Sequence, residues 1–192
     1  MQMVRKILLL TCLLVIPLNA ALSSPIDGFV EQILEPTGGK VQRPVNWFYK
    51  EAHSDKKWVW IIAKEDPGVG PYNTGINIQL FREKREVKLP TAEERIANFI
   101  EKKKANSVVL SECGVQDAGL FKRRCLETRE EGEQAGSPVF RIQYSFFYNN
   151  EIDLVAITVA GAPVDEWESA EKIFARMQSI ELIDMSRFSG EG

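Results

Sequence analysis

Three patterns in this sequence predict an α+β fold, an antiparallel β-sheet with helices packed against it. Apolar residues alternate with polar ones in paired runs separated by turn residues, the signature of hairpins. Two other segments, one in mid-chain and one near the C-terminus, repeat their apolar residues at helical spacing instead. No linker or internal repeat divides the chain, so strands and helices are expected to share one core.

The N-terminus stands apart. Arg5 and Lys6 precede an apolar run over residues 7–17, interrupted only by Thr11 and Cys12, and Leu18-Asn19-Ala20-Ala21 then offers small residues to a peptidase. This is the order of a secretory signal peptide. Stretched to Leu22 the run has sixteen residues, short of the roughly 20 that a spanning helix needs. Residues 1–20 are therefore assigned as a signal, with the cut after Ala20 or Ala21. The expected location is periplasmic or secreted, with no stable membrane insertion after cleavage.

Beyond the cut, Ser23-Ser24-Pro25 opens a short helical pattern over residues 21–35, with Phe29, Val30, Ile33 and Leu34 on one face and Pro36-Thr37-Gly38-Gly39 as its stop. The main domain is expected over residues 36–185. A hairpin pattern follows over residues 45–52 and 58–64, around the polar turn Ser54-Asp55-Lys56-Lys57. Its second run is apolar at every position from Trp58 to Ala63, which predicts cover on both faces. Asp66-Pro67-Gly68-Val69-Gly70-Pro71 is a loop by its Pro and Gly content. Residues 74–81 then alternate, with Ile76, Ile78 and Leu80 inward.

Thr91 and Glu94 form a capping-box pattern. They start a helix whose stripe is Ala92, Ile96, Phe99, Ile100 and the stem of Lys103. Period-two runs over residues 108–113 and 120–129 follow, then a solvated loop over residues 130–136. Phe140, Ile142, Tyr144 and Phe146 share one face of the next strand, and Arg141, Gln143 and Ser145 the other. Asn149-Asn150 turns the chain into a strand over residues 152–160. The last helix carries Trp167, Ala170, Ile173, Phe174 and Met177 on its apolar stripe, with Asp165 and Glu168 as its cap pair. Residues 186–192 read as a flexible tail.

Composition removes several functions. The chain has 24 Lys and Arg against 27 Asp and Glu, a net charge of −3, and loss of Arg5 and Lys6 with the signal takes it to −5. A nucleic-acid binder would need a clustered positive excess. The runs Lys56-Lys57, Lys102-Lys103-Lys104 and Lys122-Arg123-Arg124 are too short for that and read as solvated faces. Cleavage leaves two cysteines, Cys113 and Cys125, an even pair in an exported chain. The only histidine, His53, is sixty residues from Cys113, so metal ligation lacks its usual company. A disulfide is expected across a hairpin. A three-residue tip at Ala118-Gly119-Leu120 sets Asp117 opposite Phe121, Val115 opposite Arg123 and Cys113 opposite Cys125, at a separation that suits the bond.

Catalysis needs a positioned nucleophile, base or metal. His53 with Ser54 and Asp55 is a run of neighbours at a turn, not a triad converging from separate elements. Glu93, Glu94, Glu166 and Glu168 are explained by helix starts. Gly68-Val69-Gly70 leads to Pro71 and a strand, not to a helix, which excludes a phosphate loop. No catalytic residue, metal site or cofactor is assigned. For binding, the aromatics around the first hairpin and the Pro/Gly loop are the candidates. Trp47, Tyr49 and Tyr72 lie at loop entries, together with Asp66, Gly68 and Gly70 of the loop itself.

The order of elements carries a resemblance. A Gly-rich entry precedes Trp47-Phe48-Tyr49; the loop and Thr74-Gly75-Ile76-Asn77-Ile78 follow; then come the capped helix, a paired hairpin and a helix reading Glu166-Trp167-Glu168 and Ile173-Phe174-Ala175-Arg176-Met177-Gln178-Ser179-Ile180. Over about residues 36–183 the chain resembles the PsbP/DcrB-like superfamily. That resemblance implies a PsbP-like α/β/α sandwich. Members of the superfamily serve as photosystem extrinsic subunits, Ran-binding proteins, envelope proteins and chaperones for secreted effectors, mostly without catalysis. The expectation is an exported, non-catalytic protein that binds a protein partner in the envelope or outside the cell, with an accessory or assembly role. The alternative is a small-ligand or lipid carrier with a pocket between sheet and helix; a weak hydrolase is third. An apolar cavity lined by Phe99, Phe174 and Trp167 would favour the carrier, whereas a flat aromatic patch would favour the protein partner.

Overall fold

Backbone pairing dominates the computed structural model, which describes residues 28–81, 90–132 and 137–187. The expected signal peptide and the last five residues of the tail lie outside these described residues. The strands are β1 (Phe29–Leu34), β2 (Gly38–Pro44), β3 (Phe48–Glu51), β4 (Lys57–Ala63) and β5 (Gly75–Phe81), followed by helix α1 (Ala92–Asn106). Then come β6 (Val108–Ala118), β7 (Phe121–Glu131), β8 (Val139–Asn149), β9 (Leu154–Pro163), helix α2 (Trp167–Met177), β10 (Glu181–Ile183) and a 3₁₀ turn over Met185–Arg187.

A seven-stranded antiparallel sheet runs β3-β4-β5-β9-β8-β7-β6, and a three-stranded one runs β1-β2-β10. Side-chain alternation gives the large sheet two faces. Val155 and Ile157 of β9 join Leu126, Tyr144 and Phe146 under Ile96 and Ile100 of α1. Ala156 and Ala160 of the same strand belong to the opposite cluster, where Trp60, Ile62, Ile76 and Ile78 meet Phe174 and Met177 of α2 and Leu34, Val41 and Leu182 of the small sheet. The result is the α/β/α layering that the resemblance implied.

Helix α1 forms as expected. Thr91 Oγ1 accepts the Glu94 amide at 3.2 Å, and Glu94 Oε2 accepts the Thr91 amide at 2.7 Å. Trp167 is only 3% exposed, as expected of a core stripe. The start of α2 departs from the expected Asp165 cap: Glu166 occupies the N-cap without a side-chain cap bond. Its carboxylate is turned instead to Lys64 Nζ, at 2.8 Å.

Four expectations are corrected. Residues 29–34 of the expected short helix form β1, because pairing with β2 from Phe29↔Pro44 to Leu34↔Gly39 satisfies its backbone, which a helix of two turns alone does poorly. Pro36-Thr37-Gly38-Gly39, expected to stop a helix, instead ends the turn after β1 at Thr37 and begins β2 with Gly38 and Gly39. The single sheet becomes two, since β2 and β10 were not anticipated. A side chain on Gly39 would meet the Glu181 carbonyl oxygen at 2.3 Å, so β10 can pair there only against glycine. The tail is partly structured: Arg187 Nη1 reaches Glu35 Oε2 at 2.7 Å.

Candidate functional site

The predicted aromatic surface does not assemble. Trp47 is 6% exposed and packs edge-on to Phe174, with ring centres 6.1 Å apart. Tyr49 turns its hydroxyl to Glu51 Oε1 at 2.8 Å and to the Ile33 carbonyl at 3.3 Å; burial, with Glu51 adding to it, pushes its phenol well above the ordinary value. Asp66 Oδ1 accepts the Gly68 amide at 2.7 Å and so closes its own turn. Gly68 and Gly70 are exposed, and Tyr72 is half-buried, its phenol pushed up by that burial. Lys50 Nζ ties the loop to β3 through the Pro67 carbonyl, at 3.0 Å. The large apolar side chains that this end presents to solvent are Val45, Phe48 and, at 88% exposure, Val69. Trp47 belongs to the core, because the chain turns inward before β3.

His53 is spoken for. Nδ1 accepts the Val59 amide at 3.1 Å, which leaves the proton on Nε2, facing Glu51 Oε2 at 3.2 Å. The ring stands edge-on to Trp60 at 5.6 Å. Among the described residues no three His, Cys, Asp or Glu side chains gather as a metal would need.

Phe99, Phe174 and Trp167 do not line a common cavity. Phe174 and Trp167 pack together in one cluster, and Phe99 flanks the other, across the sheet. The larger hollows lie elsewhere. On the α2 face the covering layer spans β4, β5 and β9 and reaches the rim of β8, where Arg141 lies over the Trp167 ring and Gln178 donates to Gln143 Oε1 at 2.9 Å. Beyond it a cleft of about 640 Å³ opens between the small sheet and the β7–β8 floor. It adjoins a hollow of about 230 Å³ over Cys125, Gln143 and Ser145. Arg123 and Gln178 line both. Phe121, Phe147, Val41 and Leu182 supply apolar wall, and Phe121 stands edge-on to Phe147 at 6.3 Å.

Arg123 was hidden in the run read as a solvated face. Period two in β7 splits that run. Arg123 goes to the cleft, while Lys122 and Arg124 turn to the other face, where they meet Asp117 and Glu112. A three-residue basic run inside a strand carries that signal in its own alternation.

The hairpin that bears Arg123 is joined by a disulfide between Cys113 and Cys125, with Cα atoms 5.0 Å apart. The expected pairing holds, but by another route. The tip has two residues, Gly119 at φ +64° and Leu120, so Ala118 pairs Phe121 and Gln116 pairs Arg123. A bulge at Gly114 and Val115 then takes up the extra residue and returns Cys113 opposite Cys125. A second irregularity lies between Val109 and Ser111. β6 closes the sheet as an edge strand, and it exposes Val108, Val109, Leu110 and Val115.

At its far end this half is knitted by charge. Glu130 accepts from Thr128 and Tyr144, each at 2.8 Å, and from Lys103 Nζ at 3.0 Å. Burial acts to raise its carboxyl, but the three donors outweigh it and the net direction is down. Burial and Glu130 together push the Tyr144 phenol up.

No family model matches the chain. No curated protein matches it either. Among solved structures it is similar to the solution structure of cyanobacterial PsbP (CyanoP) from Synechocystis sp. PCC 6803, at 14% identity and a TM-score of 0.53, over 86% of this chain and 98% of that one. The crystal structure of LpqN, involved in cell envelope biogenesis of Mycobacterium tuberculosis, matches at 9% identity and a TM-score of 0.44, over 81% and 92% of the two chains. At these identities the likeness is one of architecture. The chain has a PsbP-like α+β fold.

Proposed function

We propose that this is an exported, non-catalytic accessory protein that binds a protein partner in the envelope or outside the cell. The observation that carries the reading is the β6 edge, where three consecutive apolar residues, Val108, Val109 and Leu110, are exposed. Contiguous exposed apolar side chains on a sheet edge are characteristic of interaction surfaces. Export is supported by the basic-then-apolar N-terminus and by the disulfide, a bond of oxidising compartments. The absence of catalysis rests on chemistry already consumed: the imidazole is held by Val59 and Glu51, and both mature thiols are bonded to each other.

The test is site-specific photo-crosslinking in the native compartment, with the probe at Val109, at Val69 in the Pro/Gly loop, or at Lys172 on the outer side of α2. A discrete adduct from position 109 alone is expected. An adduct from position 69 alone would move the partner to the first hairpin, and none from either position would defeat the reading.

A further inference from the structure

The cleft beside β7 has the chemistry of an anion site. Arg123 is half-buried and its Nη2 donates to Ser145 Oγ at 3.1 Å. Its guanidinium carbon lies 5.9 Å from the centre of the Phe147 ring. Its Nε is shut off from solvent and has no hydrogen-bond partner. The neighbouring half-buried arginines are matched with acids: Arg124 Nη2 meets Glu112 Oε1 at 3.0 Å, and Arg141 Nε meets Glu127. Arg123 has no such carboxylate among the described residues. A guanidinium offers five donors in a rigid fork, and leaving a withdrawn donor unmatched is costly. An entering carboxylate would meet the guanidinium N–H groups that face the cleft.

The rest of the cleft narrows the ligand. Besides Arg123 its charged lining is Lys40, Glu31 and Glu181, which balances to zero. A single negative charge suits that balance better than the double charge of a phosphate monoester. Phe121, Phe147, Val41, Ile180 and Leu182 form an apolar wall beside the cation, which calls for an apolar body next to the anion. The volume, about 640 Å³, lies in the range of small-molecule sites, about 300–1,000 Å³.

We propose that this cleft binds a monocarboxylate with an apolar body, its carboxylate seated on Arg123 and its body against Phe121 and Phe147. The inference is independent of the partner surface on β6. The same chemistry comes from a free acid or from the C-terminus of a peptide ending in an apolar residue, and the probes separate them.

The experiment is calorimetric titration of the mature protein with decanoate and with an acetylated pentapeptide ending in leucine. Decanol and the C-terminally amidated peptide serve as the uncharged controls. Saturable binding of at least one carboxylate is expected, weakened at least tenfold in its control. Arg123→Gln should lose at least tenfold in affinity, Arg123→Lys should lose less, and Arg129→Gln should bind as the parent. Should Arg123→Gln fail to fold, the Nε–H resonance of Arg123 in the parent protein decides: it is expected to shift on saturation. Equal binding by Arg123→Gln, no binding of either carboxylate, or an unmoved Nε–H resonance would each overturn the site.

Discussion

The two halves of the seven-stranded sheet are both antiparallel, yet they are finished differently on the face turned to α2. There β4, β5 and β9 present Trp60, Ile62, Ile76, Ile78, Leu80, Ala156 and Ala160, all excluded from water. β7 and β8 present Arg123, Cys125, Glu127, Gln143 and Ser145 at the corresponding positions, with Phe121 and Phe147 at one end. α2 and the small sheet cover the first half and end where polar side chains begin. The covering layer therefore has its extent set residue by residue, by which positions lose free energy when exposed. The covered half is stabilised by burial. The open half is stabilised by pairing, by the Glu130 network and by a covalent tie, and it keeps a cleft.

Removing apolar volume from the covered half should have the largest effect. Trp60 is fully buried, and its Nε1 donates to the Glu35 carbonyl at 2.7 Å. Trp60→Ala is expected to cost about 3–5 kcal/mol, read as a lower urea midpoint. An unchanged midpoint would mean that packing of the small sheet does not support the large one. Opening the disulfide is next. For a loop of this length the chain-entropy estimate is about 3 kcal/mol. Hydrogen exchange should show the loss in β6 and β7 while β4 and β5 stay protected; uniform loss would erase the distinction between the halves.

The smallest expected effect is at Glu130. Its folded carboxyl lies below the ordinary value of 4.5, so its stabilisation is fully present above that pH and lost as the pH falls through the lowered folded value. Glu130→Gln should cost about 1–2 kcal/mol at pH 7, as for a hydrogen bond to a charged group. The difference from the parent should shrink in acid, as followed by thermal unfolding at pH 7 and pH 3. A gap that is constant with pH would mean that the charge on Glu130 contributes nothing to stability.

How far the sequence could be read varied with the physical signal. α1, β5 and the β8–β9 hairpin were legible because each carries several full periods of one pattern. β2 was not: Gly38-Gly39 at its start and Pro44 at its end are turn residues by type, and only Val41 among its seven positions is apolar. That strand exists because β1 and β10 flank it on both sides, a fact that lies in tertiary pairing. β10, with three residues, is too short to hold a period. Trp47 and Tyr49 drop out of the candidate surface for a related reason. Both were singled out as aromatics near loops, but the packing of α2 and β1 uses them. The cysteine pairing was legible although its register was not, since a shorter tip and a bulge offset each other.

β6 has a last consequence, for self-association. Eleven residues of unpaired edge would ordinarily invite a second molecule to extend the sheet. Its two irregularities, at Leu110 and at Gly114 with Val115, break the even row of amides and carbonyls that such growth requires. The β6 edge is therefore a poor template for strand addition by a second molecule. The partner proposed for this edge would read side chains rather than backbone.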